Sequence, residues 1–74
     1  MEWIEGGLKT YEIRQVDDDG DVLASLKVDA ESGESAAKQL KEVANGTRDI
    51  KICLDGEVMN EMGVDYWMKR VRRR

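Results

Sequence analysis

Apolar and polar residues alternate with a period of two through much of this chain. In "VLASLKVDA", residues 22–30, Val22, Ala24, Leu26, Val28 and Ala30 fall on one side, and Ser25, Lys27 and Asp29 on the other. That is the signature of a strand with one buried face. "LKTYEIRQV", residues 8–16, repeats it, with Tyr11 and Ile13 separated by Glu12. Between the two lies "DDDGD", and Asp19-Gly20 suits a two-residue type I′ turn, which needs positive φ at both central positions. Such a turn pairs Ile13 with Leu26, Tyr11 with Val28 and Val16 with Leu23, so apolar meets apolar throughout.

The period then changes. In "ESGESAAKQLKEVANG", residues 31–46, Ala36, Ala37, Leu40, Val43 and Ala44 recur at helical spacing. Ser32 suits the N-cap, Glu34 the positive end of the helix dipole and Gly46 a left-handed stop. The stripe is narrow and rich in alanine, so the helix can lie close on a sheet. Period two returns in "RDIKICLDGEVMNEM", where Ile50, Ile52 and Leu54 share a face opposite Lys51 and Cys53. Asp55-Gly56 marks another turn. A two-residue turn sets Leu54 against Glu57; a loop one residue longer pairs Leu54 with Val58 and Ile50 with Met62, and is preferred. "VDYWMKRV", residues 64–71, also alternates and reads as a strand, with Val64, Tyr66 and Met68 on one face and Trp67 and Val71 on the other. Gly63 marks a bulge or kink before it. The expected fold is α+β: one small domain, β-β-α-β-β, with a four-stranded, mostly antiparallel sheet and one helix packed on one face. The leader "MEWIEGG" is expected to anchor on the body through Trp3 and Ile4.

A chain of 74 residues holds a single domain and buries a modest fraction of its surface, so dimerisation is a natural way to gain buried area. No stretch approaches the roughly 20 apolar residues of a membrane span. The N-terminus lacks an apolar signal core, and the single cysteine, Cys53, excludes an internal disulfide. A cytoplasmic location is expected. The net charge of −4 hides an asymmetry. Residues 69–74 hold Lys69, Arg70, Arg72, Arg73 and Arg74, which leaves seven basic against 16 acidic residues over residues 1–68, a net of −9. An acidic body repels phosphate backbones, whereas a general nucleic-acid binder carries a basic face.

Candidate chemistry is sparse. Counted from Asp17, the acidic loop places glycine at position four and valine at position twelve, and so fails the EF-hand calcium pattern. It reads as a solvated turn. The chain has no histidine, which removes a Cys-His nucleophile and a Cys-His zinc site. No glycine-rich phosphate loop is present, and nothing sets acid pairs such as Glu57 and Glu61 in a pocket that would perturb them. No catalytic, metal or cofactor function is expected. Trp67, if it faces away from the helix, shares the other sheet face with Leu23, Val16 and Met59 and forms an interface anchor, or else Trp3 folds over it. Lys69 and Arg70 extend that surface, and Arg72, Arg73 and Arg74 form a basic tail from residue 72 on, suited to bidentate contact with carboxylate or phosphate.

The layout resembles small proteins of phages and mobile elements, among them type I anti-CRISPR proteins. Tyr11-Glu12-Ile13, Asp19-Gly20, Ala36-Ala37-Lys38 and a terminal strand ending at Val71 carry the resemblance. It implies a non-enzymatic inhibitor that occupies a basic, nucleic-acid-binding site on a host effector complex. Asp17, Asp18, Asp19 and Asp21, with Glu57 and Glu61, are then the candidate contacts. Two other readings stand beside it: a nucleic-acid binder using the tail and Trp67, and a homodimeric structural module.

Overall fold

A computed structural model describes residues 8–72. Strands β1 (Lys9–Val16) and β2 (Val22–Ala30) are followed by helix α1 (Gly33–Gln39), then β3 (Asp49–Leu54) and β4 (Glu57–Gly63). The four strands form one antiparallel sheet in the order β2-β1-β3-β4. The chain is therefore α+β in the expected β-β-α-β-β order, with α1 on one face.

Both hairpins keep their expected positions, and their turns differ from expectation in opposite ways. At the first, Tyr11 pairs with Val28 and Ile13 with Leu26, as apolar matching demands. Nearer the turn the register shifts, so that Val16 meets Val22 and not Leu23. Gly20 N–H donates to the Asp17 carbonyl at 3.0 Å, and only Gly20 has positive φ, at 87°. This is a three-residue loop ending in a left-handed glycine, not a type I′ turn. At the second, Asp55 (φ 54°) and Gly56 (φ 86°) supply the two positive φ values of type I′, and Leu54 pairs with Glu57. The preferred longer loop is absent. Ile50 still meets Met62, because an extra residue, Met59, bulges out between Val58 and Asn60. In each hairpin a bulge reconciles the turn with the apolar register.

The apolar core lies on one side of the sheet. Ile13, Ile50 and Ile52 are fully buried there with Ala36 and Ala37 of α1. Ser32 caps the helix as expected, its Oγ accepting from Ser35 N–H at 3.1 Å. The helix stops at Gln39, short of Gly46, and Leu40 is already extended at φ −70°, ψ 123°. Two side-chain bonds explain the early stop. Gln39 Nε2 donates to the Asp29 carbonyl at 2.6 Å, which ties the helix end to β2. The Ala44 N–H, which a longer helix would use internally, donates to Gln15 Oε1 at 2.6 Å. Gly46 (φ 97°) serves a later turn, in which Thr47 N–H reaches the Ala44 carbonyl at 3.1 Å. Thr47 Oγ1 also donates to Gln15 Oε1, at 3.2 Å. Gln15 is buried, so Gln15→Leu should cost about 1–3 kcal/mol by leaving the loop donors without an acceptor. The midpoint of urea unfolding reports the loss.

Seven residues rise only about 10 Å along a helix, too little to cover four strands spaced about 4.8 Å apart. The rest of the cover comes from residues expected to be a strand. After Gly63 the chain turns into α2 (Val64–Tyr66), which continues as a wider helical turn over Trp67–Val71. Arg72 N–H closes that turn on the Trp67 carbonyl at 2.7 Å, a five-residue return. Val64, Trp67 and Val71 stand at helical spacing and join the core from this side. Trp67 is fully buried, and its Nε1 donates to the Ala37 carbonyl at 2.8 Å, joining the two helical pieces.

Candidate functional site

The acidic loop is built from the inside by one of its own aspartates. Asp17 Oδ1 accepts from Asp19 N–H and from Asp21 N–H, each at 2.9 Å. Asp17 N–H donates to the Asp21 carbonyl at 3.0 Å. Asp17 is thus a half-buried structural residue that holds the loop. Replacing it with alanine should cost about 1 kcal/mol, read from urea unfolding, because water can take over only part of the bonding to the exposed N–H groups. Asp18, Asp19 and Asp21 are exposed. Carboxylate oxygens of Asp17, Asp19 and Asp21 lie within 4.8 Å of one another, so the loop concentrates negative charge in a small volume.

The same end of the sheet carries charges that the sequence reading passed over. Arg48 N–H donates to the Val16 carbonyl at 2.8 Å, and the Arg48 carbonyl accepts from Val64 N–H at 2.8 Å. The Arg48 guanidinium meets Asp18 at 2.8 Å, with both side chains about two-thirds exposed. Such a surface pair contributes under about 1 kcal/mol. A shallow groove beside it is lined by Arg48, Asp49, Gly63, Val64 and Asp65. Asp49 pairs in register with both Val16 and Gly63, which is why this aspartate and Asp65 join the hairpin aspartates at one end. Register across three strands creates this grouping, and linear sequence gives no signal of it.

The remaining sequence candidates are dispersed. Trp67 is in the core, so it is neither an exposed anchor nor a stacking platform. The patch expected around it is not formed: Val16 is buried, while Leu23 and Met59 are bulge residues on separate strands. Tyr66, expected on a strand face with Val64 and Met68 at the core or its edge, is 56% exposed on the helical segment. Lys69 and Arg70 are exposed on the helical turn and not on a strand. The Arg72 guanidinium lies 5.7 Å from the Trp67 ring centroid. Arg73, Arg74, Trp3 and Ile4 lie outside the described residues. Among the described residues, no ion pair joins Lys69, Arg70 or Arg72 to the hairpin aspartates.

Glu57 and Glu61 are exposed on β4, at the sheet edge away from the hairpin strands. Cys53 lies on the polar face as expected, yet it is only 1% exposed, which removes it as an intermolecular contact. On that face Arg14 bonds Glu12 at 3.0 Å, and this bond is the main cause that raises the guanidinium pKa above its ordinary value. Among the described residues no helix is long and apolar enough to cross a membrane. Comparisons with protein families, with curated proteins and with solved structures find no match.

Proposed function

We propose that this protein is a small non-enzymatic binding module that presents its acidic hairpin end to a basic site on a partner protein. One observation carries the reading. Asp18, Asp19 and Asp21 are exposed on a loop that Asp17 locks from within, so the charge is held in place before binding. A preorganised charged surface loses little entropy on docking and steers a basic partner toward it. Asp49 and Asp65 at the same end add to the field, with Arg48 as the nearby cation. The resemblance to phage inhibitors supplies a partner class, the nucleic-acid site of a host effector complex, in which carboxylates stand where phosphates would. A nucleic-acid binder is less well supported, because burial of Trp67 leaves the tail without its aromatic platform.

The test is affinity capture from a lysate of the source organism, treated with nuclease, using the wild-type chain and a variant with Asp18, Asp19 and Asp21 all changed to lysine. The expected result is a protein retained after nuclease by the wild type and lost by the variant. Retention by both would remove the hairpin as the site. Capture that nuclease abolishes, and that depends on Arg72, Arg73 and Arg74, would move the function to the tail.

A further inference from the structure

The sheet has two edges, and they differ in charge. β2 carries Lys27 in mid-strand, and an edge lysine is a common guard against unwanted strand pairing. β4, with the sequence EVMNEMG, contains no lysine, arginine or proline. Among the described residues β4 pairs only with β3, so its outer backbone groups are free there. The bulge at Met59 blunts the turn-proximal part and leaves Asn60–Gly63 as a regular stretch.

A groove of about 400 Å³ opens beside that stretch, lined by Glu34, Asn60, Glu61, Met62, Tyr66 and Val71. Its lining combines apolar surface from Met62, Tyr66 and Val71 with the acid Glu34 on the α1 side, and contains no cation; Glu61, in register with Lys51, borders it from the edge with its side chain on the other sheet face. Across the bulge at Met59, Glu57 pairs with Leu54 and Glu61 with Lys51, so the two acids stand on opposite faces of β4. Apolar walls with an acid suit the aliphatic stem and cationic head of arginine or lysine. The exposed Tyr66 ring adds a face on which a guanidinium can lie.

We propose that β4 and this groove bind an extended basic segment of a partner protein, added as a fifth strand with an arginine or lysine side chain seated between Glu34 and Tyr66. Backbone pairing would supply affinity and the groove would select side chains, as in other strand-addition complexes. The groove shares no lining residue with the hairpin end, although the strand beside it reaches that end at Gly63, and it stands or falls independently of the aspartates there.

The test is a nuclear magnetic resonance titration of the isotope-labelled full chain with two blocked peptides of alternating valine, one carrying arginine and the other glutamate at the intervening positions. The arginine peptide should shift the amides of Asn60–Gly63, Glu34 and Tyr66 in a saturable manner, and the glutamate peptide should not. The double variant Glu34→Gln, Tyr66→Ala should weaken binding roughly tenfold, the sum of one exposed charge pair and one cation–ring contact. Those side chains have exposed or partly exposed positions, and an unchanged thermal midpoint would show that the fold is kept. No shifts at millimolar peptide, equal shifts with both peptides, or shifts confined to Asp17–Asp21 would each overturn the proposal. If diluting the protein alone moves the same resonances, the occupant is a second copy and the proposal also falls.

Discussion

Trp67→Ala should unfold most of this protein's margin of stability, with a loss of about 3–5 kcal/mol. Trp67 is fully buried and is the largest such side chain in the described core. A chain of this length is stable by about 4–11 kcal/mol, so the loss removes a large share. The cost has two parts. The cavity left under α2 and its following turn removes apolar packing from the cluster that also holds Ala37, Ile50 and Ile52. The Ala37 carbonyl also loses the indole N–H that reaches it at 2.8 Å. Trp67→Phe separates them, since it keeps most of the apolar volume and removes the donor. It should cost about 1–3 kcal/mol. Urea unfolding followed by circular dichroism distinguishes these values from the change within about 0.5 kcal/mol expected of a surface tryptophan. A small effect of Trp67→Ala would return the residue to the surface and contradict the packing described.

That contrast shows where the sequence was legible. Strands β1 to β4, the Ser32 cap and the pairing of Ile13 with Leu26 follow from local period and turn chemistry, and they stand. The segment after Gly63 did not yield to the same reasoning, because Trp67 and Val71 share a face both in a strand and in a helix. Val64 breaks the tie: it lies opposite Trp67 in a strand but joins it at helical spacing. Charge breaks it too, since Asp65 opens the helical segment and Lys69 and Arg70 close it, matching the helix dipole. The end of α1 was hidden for a different reason. Ala44 fits a helical stripe, but its N–H is claimed by Gln15 from β1, a tertiary bond that no local pattern signals. At the candidate site the aspartates of the hairpin were visible in sequence. The division of labour among them was not, since Asp17 differs from Asp18, Asp19 and Asp21 only in the backbone geometry that lets it accept two loop N–H groups.

Changing Asp18, Asp19 and Asp21 together to lysine should slow association with a basic partner by about 10- to 1000-fold at low ionic strength, the range that electrostatic steering spans. The fold should tolerate the change, because Asp17 keeps both loop bonds and Asp18 gives up only an exposed pair with Arg48. Stability should therefore move by no more than about 0.5 kcal/mol. The difference between wild type and variant should shrink with added salt, since the Debye length falls from about 30 Å at 0.01 M to about 8 Å at 0.15 M. Surface plasmon resonance against the captured partner, run across that range, separates the two rate constants. An unchanged association rate would mean that the partner does not meet this end of the sheet. A change confined to the dissociation rate would mean that the aspartates form desolvated contacts in the bound complex and do not act as a steering field. Asp17→Asn serves as the control for loop geometry. It removes one charge from the cluster while keeping a side-chain oxygen that can accept the two N–H bonds, so it should retain most of the wild-type association rate. If it instead reproduced the triple variant, a change of one charge unit would have the effect of six, and steering by the summed charge of the loop would be excluded.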